Sequence, residues 1–195
     1  FNVVNTLLFL PFVPMLARGL ERLVPEKPYK EHPHLTRLDV RMLATPWMVI
    51  EQSRNEILHM GNNVQRMMEC LRDVLSGRAT SGQRDEYIKK IFHREEVLDI
   101  IQQEIVTFLS DLLAQDVSHE VIDEGRKQLR MADEYESVSD YVTGVLKLYL
   151  RGCNSGHELK GVALDELLQL HDGVAAYLVL IHQANLERNT EILSK

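Results

Sequence analysis

The 195-residue sequence is poor in aromatic residues, proline, glycine and cysteine. Aromatic residues make up only 6% of the chain, and the strict alternation of apolar and polar residues that is typical of half-buried strands is nearly absent. Six prolines and ten glycines leave long stretches uninterrupted, and no segment is of low complexity. These shortages exclude a sheet-based fold. They predict an all-α protein of one domain, with or without an appendage.

Cysteines and clusters of basic residues are also scarce, and this limits the cellular compartment and the kinds of partner that we expect. Cys70 and Cys153 match neither a CxxC motif nor a zinc-ligand spacing, so we expect free thiols in a reducing compartment. The 29 acidic residues outnumber the 22 basic ones, giving a formal net charge of −7. Because no stripe of lysine and arginine could follow a phosphate backbone, we expect no nucleic-acid partner.

Catalytic signatures are missing as well. The chain has no GxSxG, HExxH, P-loop or dinucleotide-binding motif, and we predict no enzyme activity and no catalytic residue. One ExxH runs from Glu56 to His59, a motif that ferritin-like di-iron proteins use twice. His59 lies nearly opposite the apolar seam of its helix and no second ExxH exists, which argues against a di-iron oxidase.

The chain opens with the apolar run FNVVNTLLFLPFVPML, and residues 1–17 carry no charge. The run is shorter than the ~20 residues of a membrane-spanning helix. Basic residues beside a hydrophobic segment mark the cytoplasmic side, and here they are Arg18, Arg22, Lys27 and Lys30. We interpret residues 1–24 as the remnant of the last membrane segment of a longer protein, forming a short hydrophobic helix. The alternative is a buried N-terminal helix of a soluble domain.

The rest of the chain is predicted to be a linker followed by a helical bundle. Prolines at 25, 28 and 33 make residues 25–45 a linker, and residues 46–195 form the bundle, incomplete at its C-terminal end. Apolar residues spaced three and four apart predict long helices from Pro46 to about Gly77, from about Arg84 to Ala114, from about His119 to Arg151, and from Ser155 onward. The fourth start rests on a capping-box pattern, Ser155 to Glu158. Short loops between four such helices predict an up-down bundle with antiparallel neighbours.

Carboxylates interrupt the apolar faces of the second and third helices. Each helix has one ExxxD, formed by Glu95 and Asp99 and by Glu136 and Asp140, and Asp133 shares the face of the second pair. Because buried carboxylates are costly unless they are paired or bind a cation, two facing pairs predict a metal site. Alternatively, the acids pair with a base such as Arg54 or line a solvated groove. His171, in the seam of the fourth helix, is a further candidate ligand, although a lone seam histidine is typical of a satisfied core residue.

These segments together resemble a known family. The apolar opening followed by a basic, proline-containing stretch resembles the last hydrophobic segment of bacterial sodium/phosphate cotransporter family proteins, in which a PhoU-like helical domain follows the membrane part. LDVRMLATPWMVIEQSRNEILHMG looks like the linker and first helix of that domain. Both ExxxD segments are similar to the motif that PhoU proteins carry on the second and third helices of each three-helix repeat.

The resemblance implies a PhoU-like regulatory domain of a sodium-dependent phosphate transporter, on the cytoplasmic side of the cell membrane. It implies a multinuclear iron or zinc cluster, with Glu95, Asp99, Glu136 and Asp140 as ligands; Asp133 is added from helical geometry. Two departures stand out: Ser139 replaces the usual glycine before the last Asp, and only the fourth helix would belong to a second repeat. The expected partner is the membrane transport domain of the same polypeptide, and a homodimer is left open. The alternative is a metal-free helical module for interaction or dimerisation.

Overall fold

The computed structural model describes residues 45–189 and shows four long helices in that range. They are α1 (Pro46–Leu75), α2 (Ser81–Leu113), α3 (His119–Asn154) and α4 (Val162–Glu187). No strand occurs in the described range, so the predicted all-α bundle is confirmed. No helix between residues 45 and 189 reaches the length and apolarity that crossing a bilayer requires. The predicted membrane remnant, the linker up to residue 44 and the final ILSK segment lie outside the described residues.

Local signals set most helix ends as predicted. Pro46 begins α1 directly after Thr45, because a first-turn residue needs no N–H for the helical hydrogen-bond pattern. Gly77, with φ of 67°, takes the left-handed position after α1 ends. α2 starts three residues earlier than predicted, because Gln83 Oε1 accepts a hydrogen bond from the Thr80 N–H at 3.1 Å. The Ser118 hydroxyl caps α3 by accepting from the Val121 N–H at 3.5 Å.

The predicted start of the fourth helix at Ser155 is wrong. Ser155 instead ends α3, and its N–H donates to the Arg151 carbonyl at 3.0 Å. Gly156 follows with φ of 76°, and the His157 N–H reaches back to the Gly152 carbonyl at 2.9 Å, which completes a Schellman motif. The segment from Ser155 to Glu158 therefore follows the end of α3 and does not start α4. α4 begins at Val162, seven residues later than predicted.

Three of the helices form one unit, and the fourth packs on its first member. α1, α2 and α3 all pack against one another, whereas α4 packs mainly against α1. α2 follows α1 after a short turn and runs antiparallel to it, with Cys70 near Arg94. α4 is also antiparallel to α1, since Met68 meets His171 and Arg54 meets Asn185. α3 runs parallel to α1, since the Gln128 amide donates to the Ile50 carbonyl at 3.1 Å. α1 is therefore the central helix of the described range.

The core follows the predicted seams with a few exceptions. Buried apolar residues cluster on α1, α2 and α3, and the largest fully buried ones include Ile57, Met60, Leu98, Leu109 and Leu146. Trp47, in the first turn of α1, is 54% exposed, whereas Val49 and Ile50 shortly after it are buried. On α3, apolar residues at helical spacing differ in burial: Tyr135 and Val142 are buried, whereas Val145 lies at the surface.

Candidate functional site

The carboxylates of α2 and α3 face each other across the antiparallel pair. Gln102 Nε2 of α2 donates to Asp133 Oδ1 of α3 at 2.6 Å, which sets the register of the two helices. Seven residues back on α2 and seven forward on α3, the same register brings Glu95 beside Asp140. The structure therefore brings the two predicted ExxxD segments together, on the faces that α2 and α3 turn toward each other.

Glu95 lies half-buried in this contact. Burial raises the pKa of its carboxyl, and the adjacent negative charges of Asp140 and Glu96 add to the rise. The Lys147 ammonium acts in the opposite direction and lowers that pKa. Lys147 Nζ also lies 5.6 Å from the centroid of the Phe92 ring, a cation–π distance. Lys147 is thus the cation that faces this end of the carboxylate cluster.

Glu136 is the carboxylate on which the others converge. Burial is the largest cause of its raised pKa, and the charge of Asp140, one turn on, is the next. Asp99 and Asp133 raise the pKa of Glu136 further, so negative charges from both helices act on this carboxyl. The Ser137 hydroxyl donates to Glu136 Oε2 at 3.4 Å and partly offsets the effect. We name Glu95, Asp99, Asp133, Glu136 and Asp140 the carboxylate face.

The carboxylate face lies at the edge of the helix contact rather than in the bundle interior, which corrects the predicted burial. Glu95 and Glu136 are half-buried, whereas Asp99, Asp133 and Asp140 are exposed. The interior of this part of α3 is formed instead by Ala132, Tyr135, Ser139, Val142 and Thr143. Because successive helical residues differ by about 100° in direction, acids directly beside these buried positions point to the rim.

The structure also tests the alternative partner of these acids. Arg54 does not reach the carboxylate face; its guanidinium donates to the carbonyls of Asn185 and Leu186 at 2.6 and 3.0 Å. It thereby binds the C-terminal end of α4, where unpaired carbonyls favour a cation. The pairing of the seam acids with Arg54 is therefore wrong, and Lys147 takes the place of the expected base.

In the conformation of residues 45–189, no three His, Cys, Asp or Glu side chains are close enough together to hold a metal ion. The carboxylate face nevertheless has the right donor chemistry: its members are all carboxylates, and burial together with neighbouring like charges raises the pKa values of Glu95 and Glu136. The exposed Asp99 and Asp140 have room to change rotamer. The residues present therefore fit a hard or borderline cation in donor type.

His171 is a core histidine with both ring nitrogens engaged. Its Nε2 lies 3.0 Å from the Met68 carbonyl oxygen of α1, and its Nδ1 lies 3.1 Å from Asp172 Oδ1. Asp172 in turn accepts two hydrogen bonds of 2.7 Å from the Arg72 guanidinium, which holds the pKa of that carboxyl well below its usual range. This network attaches α4 to α1. The Glu56–His59 motif is split, with Glu56 buried and His59 exposed.

Sequence reasoning missed a second group of polar residues, where α1, α3 and α4 meet. Gly61 on α1 is contacted by Tyr135 of α3 and His182 of α4, and a methyl group at Gly61 would lie 2.5 Å from His182 Nδ1. A glycine within the apolar seam of a long helix was the available signal, since glycine lowers helix stability unless a close approach requires it.

Comparison with known proteins agrees with the helical reading. Residues 57–148, just under half of the chain, match the model of the PhoU domain, and this range includes the whole carboxylate face. The chain is 24% identical over 143 residues to the "Putative inorganic phosphate export protein YjbB" of Salmonella typhimurium and, to the same degree, to that of Escherichia coli K12. Each alignment covers 73% of this chain but 25% of the relative, so the chain spans about a quarter of its curated relatives. No solved structure matches the chain. Residues 57–148 thus carry a PhoU domain match, in a chain related to part of proteins named for phosphate export.

Proposed function

We propose that this chain is the regulatory, PhoU-like part of a phosphate transport protein and that its carboxylate face binds a metal cation. The observation that carries the proposal is the meeting of the α2 and α3 carboxylates within the PhoU-matched range. Two half-buried acids surrounded by further acids raise the free energy of the fold, and a bound cation lowers it. Lys147, facing Glu95, supplies only part of that positive charge.

Iron or zinc is the expected cation. Glu95, Asp99, Asp133, Glu136 and Asp140 would hold it through carboxylate oxygens, and the bound cation would supply fixed positive charge between α2 and α3. The chain's own contribution is positional: the Gln102–Asp133 hydrogen bond sets the register, and the Ser137 hydroxyl orients Glu136.

The proposed partner is a membrane transport domain of the same polypeptide, with this domain on the cytoplasmic side of the cell membrane. The apolar run of residues 1–17 and the basic residues after it support this placement. The relatives are about four times as long as the matched segment. The names of these relatives favour phosphate export over the sodium-coupled uptake expected from the sequence resemblance.

The test is metal content and metal-dependent stability of the 195-residue chain, purified without a His tag. After treatment with a chelator, iron or zinc is added, bound metal is measured by mass spectrometry, and thermal unfolding is followed. We expect stoichiometric metal and a higher Tm, since saturating to 100 times Kd stabilises a fold by about 2.7 kcal/mol. Glu95→Ala/Glu136→Ala is expected to lose both effects.

The matched control, Asp111→Ala/Glu134→Ala, removes one exposed carboxylate from each of the same helices and is expected to keep both effects. If the chain holds no metal after reconstitution, the metal-free interaction module is the better description. The regulatory part is tested separately: in the full-length protein, the Glu95→Ala/Glu136→Ala pair is expected to change phosphate flux across the membrane at unchanged protein level. Unchanged flux would contradict a regulatory role of the face.

A further inference from the structure

Gly61 is the place where α3 and α4 meet across α1. These two helices otherwise pack little against each other, because α1 lies between them. A Cβ at Gly61 would lie 2.5 Å from His182 Nδ1 and 2.9 Å from the Tyr135 hydroxyl oxygen. The missing side chain therefore leaves a notch that receives one side chain from each neighbouring helix.

The groups in this notch are polar, and the nearest of them, His182 Nδ1, lacks a hydrogen-bond partner. His182 Nδ1 is buried without a hydrogen-bond partner, and the Tyr135 side chain beside it is only 3% exposed. The side chain of Asn185, on α4, lies next to the Tyr135 hydroxyl. Buried polar atoms without partners weaken the contact in which they lie. The buried His182 nitrogen therefore weakens the docking of α4 at this point, whereas Arg54 supports it one turn further on by donating to the Asn185 and Leu186 carbonyls.

The surrounding charges do not favour an imidazolium at His182. From α1, Arg54 brings a positive charge to the Asn185 carbonyl, one turn beyond His182. Glu51, the acid that pairs with Arg54, also pairs with Arg188. From α3, Tyr135 is neutral, since burial raises its pKa to about 12.

We propose that the contact among Gly61, Tyr135 and His182 is a proton-sensitive latch, which holds the C-terminal half of α4 on α1 while His182 is neutral and releases it when the imidazole is protonated. Burial lowers the pKa of His182 in the docked state, and the released side chain returns to its usual value. Docking is therefore fully stable above the released-state pKa and weakens as pH falls toward the lower docked-state pKa. Release also uncovers Tyr135, the residue directly before Glu136.

Hydrogen exchange of the 195-residue chain, followed by mass spectrometry at pH 7.5 and 5.5, tests the latch. Exchange rates are corrected for the intrinsic effect of pH. We expect protection of peptides within residues 176–187 to fall by up to about tenfold per pH unit below pH ~6.5, while α2 stays protected. His182→Gln, which cannot be protonated, is expected to remove the pH effect, whereas His59→Gln, at an exposed position of α1, is expected to retain it.

Two glycine-to-alanine variants provide a second test of the latch. Gly61→Ala places a methyl group against His182 and Tyr135 and is expected to lower α4 protection already at pH 7.5. Gly144→Ala, at a helical position with nothing within 4 Å, is expected to leave it unchanged. The proposal is overturned if His182→Gln loses protection at pH 5.5 as the wild type does, if the wild type shows no loss, or if the two alanine variants behave alike.

Discussion

At the residue scale, Glu136 shows how a carboxylate in a like-charged setting affects stability. Its pKa is raised in the fold, so its ionised form destabilises the native state, and this cost disappears as pH falls through the folded-state pKa. With a chelator present, Glu136→Gln is expected to raise the free energy of unfolding at pH 7 by about 0.2–0.5 kcal/mol, since it removes a like-charge pair with Asp140 one turn away. Urea unfolding measures this, and the gain should shrink toward pH 4.5. Asp123→Asn, at an exposed position of α3, is the control and should show no such gain; a loss of stability in Glu136→Gln would contradict the charge argument.

At the element scale, the end of α3 decides where α4 begins. Gly156 has φ of 76°, a conformation that costs a residue with a side chain about 1–2 kcal/mol. Gly156→Ala is therefore expected to lower the free energy of unfolding by about 1 kcal/mol in urea. Gly82→Ala, in the first turn of α2 with nothing within 4 Å, is expected to change the free energy of unfolding little. Equal effects of the two substitutions would rule out the Schellman termination as the cause.

At the scale of the whole molecule, α4 carries several large apolar side chains that are exposed in the described part of the chain. Leu170 and Tyr177 are 66% and 57% exposed, and they line an open groove with Gly173 and Val174. Large exposed apolar patches favour association, so we expect the 195-residue chain to self-associate reversibly, as measured by light scattering over a concentration series. Leu170→Gln/Tyr177→Gln should lower the association constant. The matched pair Tyr141→Gln/Leu148→Gln, on the exposed side of α3, should change it less; the reverse order would place the association surface on α3.

The helices themselves were largely predictable, because their signals are local. Spacings of three and four, Pro46 at the start of α1 and Gly77 after its end follow from the geometry of a single helix. The start of α4 was not predictable from Ser155 to Glu158, because the same residue types can begin a helix or end one. The backbone of α3 decided between them when the His157 N–H bonded to the Gly152 carbonyl.

By itself the sequence determined that this chain is all-helical, that two ExxxD segments occupy successive helices, and that these segments meet when the helices pair antiparallel. Only the tertiary structure decided that the carboxylate face lies at a rim, that Lys147 rather than Arg54 faces it, and that α4 approaches α1 closely at Gly61. The physical reason is the distance along the chain over which each property is decided. Periodicity records which side of a helix is apolar, whereas burial, counter-charge and close approach depend on atoms far away in the chain.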